Sequence, residues 1–340
     1  MKGCGGAAEV PPQPLLADQR KVELVHFTMK TRALLYDAAG HDREVNDLAE
    51  VDASSLGSDQ LLWVDVSEFE DGQTHGLPPH VPVREFSLEE LGSLQIFDDH
   101  YRFAIPLHDK KGLKLGFVLG KTWLLTLSKE RPALFDEFIE ADRGETLKGR
   151  MTSTALMAAL LIRQLETFRQ EVASVDQAID KLDETILRSR EKRAPLGILA
   201  ALRRRIAGVR ADLGNQRSII HGLIGPDFFA HVTPEDRPFL VEINRVFERV
   251  EDDVSRARDT VIGSFELYAT RVAQDTNQLL KALTIATVIT GIVGAVGGIF
   301  GMNFDTPIPH TGMTGFLVVT GVMLFSSIAL VAFAMWRRWL

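Results

Sequence analysis

KALTIATVITGIVGAVGGIFGMNFD, from Lys281 to Asp305, decides the fold. Between its two terminal charges every residue is apolar, small, hydroxyl-bearing or, at Asn303, an amide. A helix over this run is long enough to cross a hydrocarbon layer of about 30 Å. A second run, Thr306 to Trp336, has no Asp, Glu, Lys or Arg and then meets Arg337-Arg338. Two such runs joined by a short loop predict a membrane hairpin over 282–340, with the lipid bilayer as a partner.

The rest of the chain is polar. The 340 residues carry a net charge of −8, and nearly all the charged residues precede position 281. A polar body of that length is large enough for one or two domains with their own cores. The lone cysteine, Cys4, rules out an intrachain disulfide framework and suits a reducing compartment. Residues 1–20 are expected to be a disordered leader; MKGCGGAAEVPPQP lacks the apolar core of a signal peptide. The acidic balance argues against nucleic acid as a partner and favours attraction of cations.

Flanking charges predict topology. Arg271 and Lys281 precede the first crossing and Arg337-Arg338 follow the second, while the connecting loop carries only Asp305 and His310. Positive residues stay on the cytoplasmic side. The expectation is a two-span protein of the inner membrane with both termini and the body in the cytoplasm.

Within the body, residues 21–150 read as an α/β domain. VELVHFTM, LLWVDVS, VPVREFSL, YRFAIPL, LKLGFVL and TWLLTLS are short runs rich in β-branched, aromatic and other apolar residues, divided by Gly, Pro and Asp. Pro132 to Ala141 reads as a helix. There is no phosphate-cradling glycine loop, nucleophile elbow or CxxC pair. His41-Asp42, Asp98-Asp99-His100 and His108-Asp109 place imidazoles beside carboxylates, but at no helical ligand spacing, so they read as solvated loop residues. No enzyme is expected.

From Thr152 the period becomes helical. Leu156, Leu160, Ile162, Leu165, Phe168, Val172, Val175, Ile179, Leu182 and Ile186 recur mostly at steps of three and four as far as Arg190. Pro195-Leu196-Gly197 is expected to break this helix, and a second, about 198–224, to run back as its antiparallel partner, giving a helix pair over 151–232. Its tip is basic, with Arg188, Arg190, Lys192 and Arg193, then Arg203, Arg204 and Arg205. That tip reads either as a solvated face or as a contact with anionic lipid. A third helix is expected to open at Thr233-Pro234-Glu235-Asp236, with Thr233 as N-cap and Pro234 at its first position. Leu240, Phe247, Val254, Val261 and Tyr268 follow at steps of seven, with Ile243, Val250 and Ala257 beside them, a coiled-coil-like seam. This stalk, 233–281, is predicted to continue unbroken into the membrane. The fold class is thus an α+β membrane protein.

Two crossings cannot enclose a pore, so transport would require a symmetric oligomer. Asn277, Leu280, Thr284, Thr287, Gly291, Gly294 and Gly298 share one helical face, with Leu283 beside it. That face reads equally as a pore lining or as a glycine-lined helix–helix contact.

NQLLKALTIATVITGIVGAVGGIFGMNF, from Asn277 to Phe304, closely resembles the first transmembrane segment of the CorA family of divalent-cation transporters. The triplet Gly301-Met302-Asn303 matches that family's signature, and the short loop, second crossing and terminal WRRWL are similar too. LLWVDV looks like the family's early strand. The resemblance implies a homopentamer with a cytoplasmic α/β/α funnel and the first transmembrane helix lining the pore. Asn303 would supply a carboxamide ring at the mouth and Gly301 a backbone carbonyl. Leu280 and Leu283 would form a hydrophobic constriction, and Asn277 a polar ring below it. Mg2+ is the implied substrate, with Co2+ and Ni2+, and no resident cofactor is implied. Cytoplasmic Mg2+ would also act as regulatory ligand between subunits, with Glu242, Glu89 (or Glu90) and Asp253, within Glu251-Asp252-Asp253, as its carboxylates. The absence of a mid-span proline in VITGIVG, the altered loop FDTPIPHTGM and the basic tip resemble the zinc-transporting ZntB branch, the alternative. A membrane-anchored scaffold or metal sensor is the alternative of another class.

Overall fold

LLWVDV lies in strand β3 (Gln60–Ser67), where alternate residues turn to opposite faces of a sheet. The computed structural model describes residues 30–46, 48, 51–69, 87–88, 93–108, 112–141, 147–188, 194–301 and 312–336. The leader, the run 22–29 and most of 81–88 lie outside the described residues. Around β3 are β1 (Lys30–Asp37), β2 (Arg43–Val45), β4 (Gln95–Ile96), β5 (Tyr101–Pro106), β6 (Lys114–Leu119) and β7 (Trp123–Ser128). Their order in the sheet is β2-β1-β3-β7-β6-β5-β4. β3 and β7 run parallel, from Leu62 opposite Trp123 to Val66 opposite Leu127, and the other neighbours are antiparallel.

Both faces of this sheet are covered, which is why its strands read as nearly continuous apolar runs. Leu61, Trp63, Phe103, Ile105 and Phe117 face the helices. Leu62, Val64, Val66, Leu125 and Leu127 face the other way, against Val51, Ala53, Phe69 and Leu88. Helix α1 (Ala133–Glu140) seats Phe135 and Phe138 edge-on against Trp63, with ring centroids 5.2 and 5.8 Å away.

Helix α2 (Ser153–Arg188) begins where Thr152 accepts the Ala155 N–H at 3.1 Å. Its predicted stripe is buried throughout, apart from a half-buried Ile162. Helix α3 (Ala194–Leu223) corrects one expectation. Pro195 and Gly197 do not break a helix but sit in the first turn of one, where the missing N–H of proline has no intrahelical partner to lose. Gly225 and Pro226 then open a short helix, α4 (Pro226–His231).

Helix α5 (Arg237–Gly301) starts three residues later than expected. Thr233 to Asp236 form a turn closed by the Asp236 N–H on the Thr233 carbonyl at 3.0 Å. Asp236 is buried and accepts the hydroxyls of Thr152 and Thr233. The first-turn proline is therefore Pro238, not Pro234. The stalk seam is as the heptads predict: Leu240, Ile243, Phe247, Val250, Val254, Ala257 and Val261 are buried, and Tyr268 packs against the same core. α2 runs parallel to α5, with Arg169 paired to Asp253 at 3.3 Å and Ser264 bonded to Asp183 at 3.1 Å. α3 runs antiparallel, with Arg217 Nε donating to Glu251 at 3.0 Å. α5 continues for 65 residues, about 97 Å at 1.5 Å per residue. Helix α6 (Gly312–Trp336), 25 uncharged residues, is also long enough to cross a bilayer.

Candidate functional site: the uncovered face of α5

Where α5 meets α6, the partly covered positions of its apolar half are Ile285, Ile289, Ile292 and Val296, at steps of four, three and four. Ile285 is buried outright. At 100° per residue the predicted face is centred about 150° round the helix from that seam. Asn277, Leu280, Leu283, Thr284, Thr287, Gly291, Gly294 and Gly298 are all exposed. The hairpin thus covers one side of α5 and leaves this other side free of its own chain.

Packing within the chain does not explain the small residues there. A Cβ added at Gly291, Gly294, Gly298 or Gly301 would meet no atom within 4 Å. Thr284 and Thr287 donate their hydroxyl protons to the carbonyls of Leu280 and Leu283, each at 2.8 Å. Their donors are satisfied by the helix, and their oxygens keep lone pairs for an outside partner. Leu280 and Leu283 are 53% and 62% exposed, costly positions for leucine in water. Gly301 ends α5; Met302 and Asn303 lie outside the described residues.

The proposed sensing carboxylates are placed differently. Glu242 and Asp253 are eleven residues apart on α5, on one stripe but about 16 Å from each other along the axis. Glu242 is paired with Arg245 at 2.7 Å and Arg249 at 3.0 Å, and Asp253 with Arg169 and Arg256. Glu89 lies outside the described residues. Among the described residues, no group of three or more His, Cys, Asp or Glu converges to hold a metal. His100 and His108 are not the solvated loop residues expected. His100 is buried, stacked on Phe97 and bonded to Asp99 at 2.7 Å. His108 stacks on Phe168 and bonds Asp212 at 3.0 Å. Each imidazole is fixed by packing plus one carboxylate.

One buried charge escaped the sequence reading. Asp65, in the middle of β3, accepts a bond from Thr126 at 2.9 Å, and Thr126 in turn accepts the Trp63 indole N–H at 3.1 Å. Arg131 stands 3.3 Å from its other oxygen. Burial pushes the carboxyl up to about 6 against the opposing pull of Arg131 and Thr126. A lone Asp inside an apolar strand was the available signal. It sits in the body, away from the face of α5.

Comparison with known proteins agrees with this architecture. The family model described as CorA-like Mg2+ transporter protein matches residues 89–337. The cobalt/magnesium transport protein CorA of Thermotoga maritima is 23% identical over 279 residues, 79% of this chain and 78% of that protein. The CorA magnesium transporter structure from Methanocaldococcus jannaschii aligns with a TM-score of 0.69 at 18% identity, over 91% of this chain and 98% of that one. The full-length CmaX protein aligns with a TM-score of 0.60, also at 18% identity, over 91% and 97%. The two structures share the fold. The family match runs from ahead of β4 through the helix pair and stalk to the end of the second apolar helix, and on that ground the chain belongs to the CorA family of divalent-cation transporters of the membrane.

Proposed function

We propose that this chain assembles as a homopentamer that conducts Mg2+, with Co2+ and Ni2+ as further substrates, down an axis lined by the uncovered face of α5. The observation that carries this reading is the pairing of two facts on one helix. α5 packs on α6 and is covered along its isoleucines, while a stripe of threonines and glycines with open space beside them faces away. Five copies meeting at that stripe would give an axis bordered by hydroxyl oxygens and backbone, narrowed by Leu280 and Leu283. Mg2+ gives up its water reluctantly, so a wide ring of neutral oxygens, Asn303 carboxamides above all, suits passage of the hydrated ion. Leucine side chains at a narrow point can close such a path by excluding water. The positive flanks of the hairpin favour an orientation with both termini in the cytoplasm. Cytoplasmic Mg2+ held between copies at separate sites by Glu242 and by Asp253, with Glu89 as a further ligand, would close the path, displacing the arginines that now pair with the first two.

The test is ion uptake by proteoliposomes holding the full chain, with Mg2+, Co2+, Ni2+ and Zn2+ compared. Mg2+ uptake is expected to exceed Zn2+ uptake, and Asn303→Ala to bring it toward the empty-vesicle level. Preferential Zn2+ uptake would replace magnesium by zinc as the substrate. An assembled protein that moves none of the four ions would leave the scaffold or sensor reading. In the same vesicles, Glu242→Ala and Asp253→Ala are expected to weaken inhibition by Mg2+ on the cytoplasmic side.

A further inference from the structure

Helices that pack in parallel share a direction, so the free tip of the α2–α3 pair points the same way as the apolar half of α5. The contact of Asp183 with Ser264 at 3.1 Å sets Arg188 level with about position 269 of α5. The antiparallel contact of Arg217 with Glu251 sets Leu196 level with about position 272. The uncharged run of α5 begins after Lys281, so Leu196 stands about 14 Å and Arg188 about 18 Å from the hydrocarbon edge. Head groups fill roughly 5–8 Å of that interval. What remains, about 6–13 Å, is comparable to one Debye length, about 8 Å at physiological salt, and is shortened further by the reach of an arginine side chain.

The tip is also built unlike the rest of the pair. Among the described residues of α2 and α3, the large apolar side chains classed as exposed are Leu187, Leu196 and Ile198, at 59%, 48% and 46%. All three lie at this end, beside Arg188, whose ion pair with Glu184 is itself exposed. On α3, Arg203 and Arg204 add two exposed cations within two turns of Ile198. A merely solvated end has no use for three bare aliphatic side chains. Aliphatic residues set among cations are what a segment lying at a charged lipid surface carries.

We propose that the α2–α3 tip rests on the anionic head groups of the bilayer that α5 enters, with Arg188 against lipid phosphate and Leu187, Leu196 and Ile198 touching the interface. This rests on α5 spanning the membrane and not on which ion is carried or how many copies assemble. Cys4 is the only cysteine, so Cys4→Ser gives a background for single-site labelling. The full chain with Leu196→Cys, carrying an environment-sensitive fluorophore, would be placed in nanodiscs whose lipids bear a head-group quencher. Quenching is expected to be clearly stronger with phosphatidylglycerol present than in phosphatidylcholine alone, and to fall in high salt and with Arg188→Glu. The exposed Asn215, about 28 Å farther from the membrane by the same register, is the control as Asn215→Cys and should stay unquenched in both. Equal quenching in the two lipids, or no more at position 196 than at 215, overturns the proposal. So does a blue shift at 196 without head-group quenching, which would put another copy of the chain over the tip.

Discussion

The body and the hairpin of this protein use the same kinds of residue to opposite effect. In the body the sheet and the inner faces of the helices find their cover within the chain. Phe247 is fully buried, and a Cβ at Gly149 would lie 2.3 Å from the Asp59 carbonyl oxygen and 2.4 Å from the Ala38 nitrogen. In the hairpin Ile299, Phe316 and Phe325 are 65%, 66% and 74% exposed, and Gly291 and Gly294 have nothing beside them. One helix, α5, passes from the first condition to the second. Gly149 in the body answers to its own chain; the glycines of the hairpin stripe answer to lipid or to another copy. Stability and assembly are therefore separable by position along a single helix.

That contrast can be broken first at the seam. Phe247→Ala should cost the folded body about 3–5 kcal/mol, the usual loss for a large side chain cut from a tight core. Denaturant unfolding in detergent reads this, and a loss as small as that of the exposed Leu283→Ala would erase the distinction. Next comes Asp65. Its folded carboxyl titrates at about 6, above its ordinary value of 3.8, so the folded state holds its proton more tightly than the unfolded state does. This group's contribution is therefore complete below about pH 4 and is lost as pH rises through about 6, a cost approaching 3 kcal/mol at neutral pH. Asp65→Asn should remove that slope; identical stability–pH curves for the two proteins between pH 4 and 7 would mean the carboxylate is not strained by burial. The smallest effect on folding is expected at Gly294. Gly294→Ala adds helix propensity, up to about 1 kcal/mol, and meets nothing in its own chain. If the stripe lines the proposed axis, light scattering and ion uptake should register the added methyl groups, increasingly so with Gly294→Leu. Unchanged assembly and uptake for both would remove the glycine stripe from any interface.

Much of this was visible in the residues. The eight seam positions from Leu240 to Tyr268 were legible because a stalk packed on two neighbours must repeat every seven residues. The glycine and threonine stripe was legible for the same reason, although the residues alone left open whether α6 covers it. In the structure α5 and α6 are in contact, and the covered positions of that half of α5 are Ile285, Ile289 and Ile292 rather than the stripe. β1 was missed. KTRALLYD carries charges at both ends that hide a strand buried on both faces, Ala33 and Leu35 toward one and Tyr36 toward the other. Lys30 and Arg32 are drawn off to Glu68 and Glu44, partners that no local pattern names. The start of α5 was misplaced because Asp236 is claimed by Thr152, 84 residues away in sequence. Local capping rules cannot anticipate a long-range hydroxyl.

From Pro238 onward α5 contains no proline, and Gly263 is its one glycine before the apolar half. Such a rod has no proline hinge between the sheet and the far side of the bilayer. A lean of about five degrees at its base displaces the other end by roughly 8 Å, the width of a helix, given a length near 97 Å. Small adjustments among the arginines and carboxylates at the base would thereby be geared up into large sideways travel where the glycines lie.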